Sequence, residues 1–177
     1  MQRMRRIILA MAVCWVLLQG PAGTASDPPG PTGDVAADHT LAIVVNTSNP
    51  ITDLSSQDLR RIFLGERSHW PNGRRITLVM MDPATPERKA MLREVYHMSE
   101  EELTRHFLRG LFTGEVFASP KTLASSVGVR KFVFNVPGAI GYMSLADVDG
   151  SVKVLKVDGH LPTEKDYRLS METRAAK

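Results

Sequence analysis

The sequence predicts an α/β domain of three layers, a central sheet with helices on both faces. Three observations predict it. A continuous apolar run of strand length stands at residues 41–45, and largely apolar ones at 76–81 and 139–143. Segments with helical apolar spacing and recognisable caps lie between them. Across 177 residues, 43% apolar and 23% charged side chains suit one globular domain with its own core. Strands that alternate with helices are most simply buried as a sheet between helical layers.

The first 25 residues read as a secretory signal peptide. Arg3, Arg5 and Arg6 form a charged start, Ile7 to Leu18 an apolar run, and Gln19 to Ala25 a small-residue end, with cleavage expected after Ala25. Twelve apolar residues fall short of the roughly 20 that a membrane helix needs, so no stable span is expected once the leader is removed. Cys14, the only cysteine, lies inside this run, and Val13 stands where lipoprotein processing would need a small residue. The exported chain then has no thiol for disulfides, metal or nucleophilic chemistry. Residues 26–40, rich in Pro and Gly, read as a disordered linker; residues 41–169 form the expected domain, and 170–177 a flexible tail.

Leu41–Val45 is the first strand, ended by the turn-forming cluster Asn46 to Pro50. Ser55 followed by Asp58 resembles a capping box. Behind it Leu59, Ile62 and Phe63 share a helix face, and Gly65 suits a left-handed stop. Ile76–Met81 is the second strand, ended by Asp82-Pro83. Thr85 with Pro86 and Glu87 then opens a helix expected to reach Tyr96. Ser99 with Glu102 is a full capping box, with Leu103, Phe107 and Leu111 as the buried face behind it. A helix over Ser126–Asn135 ends at Pro137-Gly138, a strand follows at Ala139–Met143, and Val152–Val157 alternates as a partly exposed strand.

Charge excludes one class of partner. The net charge of +3 arises from the three arginines of the leader, because all 19 acidic residues follow position 26, and the remainder is balanced. Nucleic acid therefore lacks its usual electrostatic footprint. His39, His69, His97, His106 and His160 show no i, i+4 pair, so neither a metal nor a cofactor is expected. The sequence has no GxSxG elbow, P-loop or GxGxxG, and no identifiable nucleophile or acid and base pair, which argues against an enzyme.

Polar loops directly after buried strands are candidate anion seats. Thr47 and Ser48 follow the first strand. Asp82, Thr85 and Arg88 follow the second, with Thr85 as hydroxyl donor and Arg88 as charge, and Ser125 and Ser126 precede a later helix in the same manner. On the residues alone the plainer reading is favoured, Thr85 and the serines as helix caps and Arg88 as a solvent-facing helix residue.

Asn49-Pro-Ile-Thr-Asp-Leu54, Gln57 through Gly65, Trp70, and Pro137-Gly-Ala-Ile-Gly-Tyr142 resemble, in that order and at similar spacing, the phosphate-binding proteins of ABC importers, in the type 2 periplasmic-binding superfamily. The resemblance runs from Leu41 to Gly159 and is nearest to short, single-domain members. It implies one lobe of the two-lobed fold and a periplasmic, non-catalytic solute-binding-like protein. Phosphate or a similar small oxyanion would be the inherited ligand class, and an ABC permease a partner. Met81 or Asp82 stands where the family places an arginine, and its Ser-Gly-Thr grip loop is not preserved. Thr85-Pro-Glu-Arg88 matches the Ser/Thr-Pro-x-Arg of short members, so the resemblance puts the ligand on Thr85 and Arg88. The lost jaw leaves room for a homodimer that completes the site. It also motivates the alternative, a ligand-free periplasmic adaptor that keeps the fold and serves a sensor, a channel or another envelope protein. Phe63, Trp70, Ile140 and Tyr142 are expected in the core.

Overall fold

The computed structural model describes residues 39–117 and 119–171. The expected leader, the linker up to residue 38 and the tail from residue 172 lie outside the described residues. A five-stranded mixed sheet carries the fold. Its strands are β1 (Leu41–Asn46), β3 (Thr77–Met81), β4 (Lys121–Leu123), β5 (Ala139–Ser144) and β6 (Val152–Val154), in the order β4-β3-β5-β1-β6. β3 runs parallel to β4 and β5, and β1 antiparallel to β5 and β6. A second, two-stranded sheet pairs β2 (Asp53–Leu54) with β7 (Lys156–Val157). β1 and β5 are buried along their full lengths, as expected of continuous apolar strands covered on both faces.

The helices are α1 (Ser56–Phe63), α2 (Pro86–Met91), α3 (Glu100–Thr113) and α4 (Ser126–Asn135). Alternation along β5 assigns them to faces. A Cβ on Gly141 would meet Val129 and Val133 of α4, so α4 covers that side. Tyr142, one residue on, projects to the other side, where its ring packs 5.9 Å from Phe63 of α1 and Phe63 meets Tyr96 at 6.3 Å. The three-layer arrangement read from the sequence is the one observed. Opposite directions of travel explain the two covers: the connection from β3 out to β4 and the return from β4 to β5, if both keep the usual hand, must cross opposite faces.

Local signals did most of the placing. Ser55 caps α1 by accepting from Asp58 N at 3.0 Å, and Gly65 takes φ +77° behind it. Thr85 caps α2 with Pro86 in its first turn, and Ser99 and Glu102 close both bonds of a capping box on α3. Phe63, Trp70, Ile140 and Tyr142 are all in the core.

Four departures have physical reasons. The helix expected from Thr85 to Tyr96 is α-helical only to Met91 and finishes as a π-helical turn over Leu92–Tyr96, with His97 left-handed behind it. The wider turn lets the consecutive Val95 and Tyr96 both enter the core. On α3, Gly110 takes the buried place expected of Leu111, because Val116 folds back within 2.4 Å of where a Gly110 Cβ would stand. Val152–Val157 is two strands: Leu155 N donates to Ile43 O, after which the chain leaves β1 for β2. Finally, residues 39–40 and 170–171, which the sequence assigns to linker and tail, bond to each other. Thr40 bridges Ser170, and Met171 N donates to His39 O at 2.6 Å, closing the margin of the sheet.

Candidate functional site

β3 and β4 lie side by side and parallel, yet their outgoing chains go to opposite faces, β3 to α2 and β4 to α4. Such a parting leaves a crevice at the carboxyl ends of the strands, where open α/β sheets bind ligands. The bond from Asp82 N to Leu123 O, 3.0 Å, ties the two loops together at their roots. The structure therefore brings Asp82, Thr85 and Arg88 to the same end of the sheet as Ser125 and Ser126. Thr47 and Ser48 sit at the other end, because β1 runs antiparallel to β5.

The hydrogen bonds of the Asp82 loop are largely internal. Asp82 Oδ1 accepts from Ala84 N at 3.0 Å, and Asp82 O accepts from Thr85 N at 3.0 Å and from the Thr85 hydroxyl at 2.8 Å. Thr85 Oγ1 in turn accepts from Arg88 N at 3.2 Å. Thr85 thus holds the turn and the helix start together, and its amide is spent on a carbonyl of its own loop. Ser125 likewise accepts from Gly128 N at 3.2 Å, while Ser126 is buried. At the far end, Ser48 donates its hydroxyl to Asn46 Oδ1 at 2.7 Å and accepts from Arg74 at 3.1 Å. The amide group of Asn46 donates back to Val133 O and Phe134 O, stitching that loop to the end of α4.

Arg88 differs from all of these. Its side chain is 8% exposed although its charge persists at any physiological pH. Nε and Nη2 donate to the two carboxylate oxygens of Glu100, at 3.0 and 2.7 Å, in a bidentate fork. Nη1 points at Met80 Sδ, 2.6 Å away. Burial works against the guanidinium charge, but the Glu100 bond, with the fields of Tyr142 and Tyr96, outweighs it and lifts the pKa above the ordinary arginine value. Burial pushes the phenols of Tyr96 and Tyr142 up while Arg88 pulls both the other way. Tyr142 also accepts from Met81 N at 3.1 Å, so one aromatic side chain joins β5, the end of β3 and the arginine.

Arg88 and Glu100 form part of the wall of an open groove of about 270 Å³ between α3 and the β3–β4 edge. Leu103, Phe107, Leu108 and Leu111 line its α3 side, and Met80 and Thr122 its sheet side. Glu100 was absent from the sequence-based candidates. Nothing local marks it, since an acid at the first residue of a helix needs no partner beyond the helix dipole, and its pairing spans twelve residues across a helix junction. Among the described residues no group of three or more His, Cys, Asp and Glu side chains gathers as a metal site.

Comparison with known proteins agrees with this architecture. The sequence matches the PBP superfamily domain over residues 34–175. It is 27% identical over 152 residues to the phosphate-binding protein PstS of Bacillus subtilis, covering 80% of this chain and 45% of that protein. An ABC-type phosphate transport receptor from Vibrio cholerae superposes with a TM-score of 0.58 at 22% identity, over 70% of this chain and 48% of that one. PstS from Borrelia burgdorferi gives 0.51 at 16% identity, over 68% and 47%. The chain thus spans about half the length of these relatives. With three layers, a mixed sheet and a match over most of its length, the chain belongs to the PBP superfamily.

Proposed function

We propose that this chain is an exported, non-catalytic solute-binding-like domain whose ligand is phosphate or a similar small oxyanion, seated at Arg88. The observation that carries the reading is a buried guanidinium in the wall of an open groove, whose two-nitrogen edge is held by a carboxylate, that of Glu100. That edge matches the spacing of two oxygens on a carboxylate or phosphate, which is why arginine dominates such recognition. The names of the relatives, phosphate-binding protein and phosphate transport receptor, point to the same ligand class. Thr85 fixes the turn from which Arg88 departs; Asp82, Ser125 and Ser126 share that end of the sheet but stand outside the residues that line the groove. Thr47 and Ser48, at the far end of the sheet, take no part. An exported location follows from the leader-like first 25 residues, and an ABC permease is the corresponding partner. Among the described residues no helix is long and apolar enough to cross a membrane.

Calorimetric titration of inorganic phosphate into the wild-type chain and an Arg88→Met variant tests the seat. Saturable binding in the wild type, weakened at least tenfold by the substitution, is expected. Equal binding in both would remove Arg88 from the site.

A specific feature favours a second reading, a periplasmic interaction module. α3 and the loop behind it expose Leu108 at 55%, Phe112 at 91% and Phe117 at 54%. Neighbouring apolar side chains left in water are typical of surfaces that meet another protein. In this reading the half-length chain serves as an adaptor, or completes its site as a homodimer. Sedimentation of the wild type against Phe112→Glu measures it: self-association lost in the variant supports the homodimer, and a monomer in both excludes it.

A further inference from the structure

The carboxylate of Glu100 already sits where an oxyanion would be expected to sit. It covers the Nε and Nη2 edge of Arg88 with one oxygen on each nitrogen, and the third nitrogen faces Met80. A second anion cannot form a bidentate pair with that edge while Glu100 holds it. We propose that Glu100 is an internal competitor for the anion seat, a gate that must leave Arg88 before phosphate can bind and that sets which anions succeed. The proposal rests on the reading of Arg88 as the ligand anchor.

The two partners are unequally free to move. The Arg88 side chain is 8% exposed and wedged against Met80, whereas that of Glu100 is 32% exposed at the first residue of α3. The guanidinium is the fixed member and the carboxylate the mobile one. Release of Glu100 need not unwind the helix, because the capping box of Ser99 and Glu102 holds the start of α3 through other atoms. Once turned outward, the carboxylate regains water and stays near the positive end of the helix, which keeps the open state accessible. The groove of about 270 Å³ beside the pair leaves space for the incoming anion.

Selectivity follows from the exchange. An anion must replace a carboxylate that carries a full charge and two hydrogen bonds, so a spherical monoanion such as chloride gains too little. A dianion with two adjacent oxygens, such as monohydrogen phosphate, restores both bonds and adds charge. Three variants decide the matter by phosphate calorimetry on the full chain: Glu100→Gln, Glu100→Asp and Arg88→Met/Glu100→Gln. Glu100→Gln keeps the shape of the side chain, and Glu100→Asp keeps its charge while shortening its reach, so a folded variant remains if either fails. The proposal predicts phosphate binding at least tenfold tighter in Glu100→Gln than in wild type, an intermediate gain in Glu100→Asp, and loss of the gain in the double variant. If wild type binds and Arg88→Met does not, yet Glu100→Gln binds no tighter than wild type, the gate is overturned and the anion seat stands. If neither wild type nor Glu100→Gln binds phosphate, both fall.

Discussion

Individual residues set the tolerances of the fold. Gly138 is needed for space, since a Cβ there would lie 2.1 Å from Arg75 O, and its own carbonyl accepts from Trp70 Nε1 at 3.0 Å. The turn before β5 cannot accommodate even a methyl group without displacing backbone. Gly138→Ala should cost about 3 kcal/mol or abolish folding, readable as a lowered denaturation midpoint; an unchanged midpoint would show that the turn relaxes freely. Asp158 governs a pH response. Its carboxylate accepts from the amide and hydroxyl of Ser56, those two bonds being the chief reason its pKa lies below the usual aspartate value. A group whose pKa is depressed by folding stabilises the protein above its unfolded pKa of about 4 and loses that effect as pH falls through the folded value. Asp158→Asn, which keeps a residue tolerant of φ 52°, should melt below the wild type near neutral pH, with a gap that closes in acid. A gap independent of pH would contradict the assignment. Thr85 and Arg88 were legible from sequence because cap and charge stand three residues apart; Glu100 was not, because only the tertiary fold brings the first residue of α3 to Arg88.

At the scale of elements, caps were readable and short strands were not. The capping box of α3 is written in Ser99 and Glu102, and both of its bonds form. Ser99→Ala should lower stability by about 1 kcal/mol, a shift of a few degrees in melting temperature, without changing phosphate binding if the box serves only the helix. A loss of binding in that variant would tie the helix start to the seat. β4 has three residues, two of them exposed, and β2 has two; neither carries enough period to be seen, and β4 exists because the longer β3 offers it hydrogen bonds, β2 because the chain brings the equally short β7 beside it. The π-helical turn was hidden for the same reason. Its cause lies in the pocket that receives Val95 and Tyr96, not in the residues that make it.

For the molecule as a whole, the order of strands was beyond the sequence, while the layers were not. Apolar runs and capped helices imply a sheet covered on both faces. The antiparallel entry of β1 comes only with the pairing, and it moves Thr47 and Ser48 away from Asp82 and Arg88. What remains at the crevice is one buried arginine, one carboxylate upon it, and a groove with an apolar α3 wall. In the proposed function this arginine is the anion anchor. The Nε–H resonance of Arg88, followed by heteronuclear NMR while inorganic phosphate is added to the full chain, tests it most directly. A saturable shift of that resonance is expected, reached at lower phosphate in Glu100→Gln. A resonance that stays still while others move, or a spectrum that does not respond at all, would contradict it.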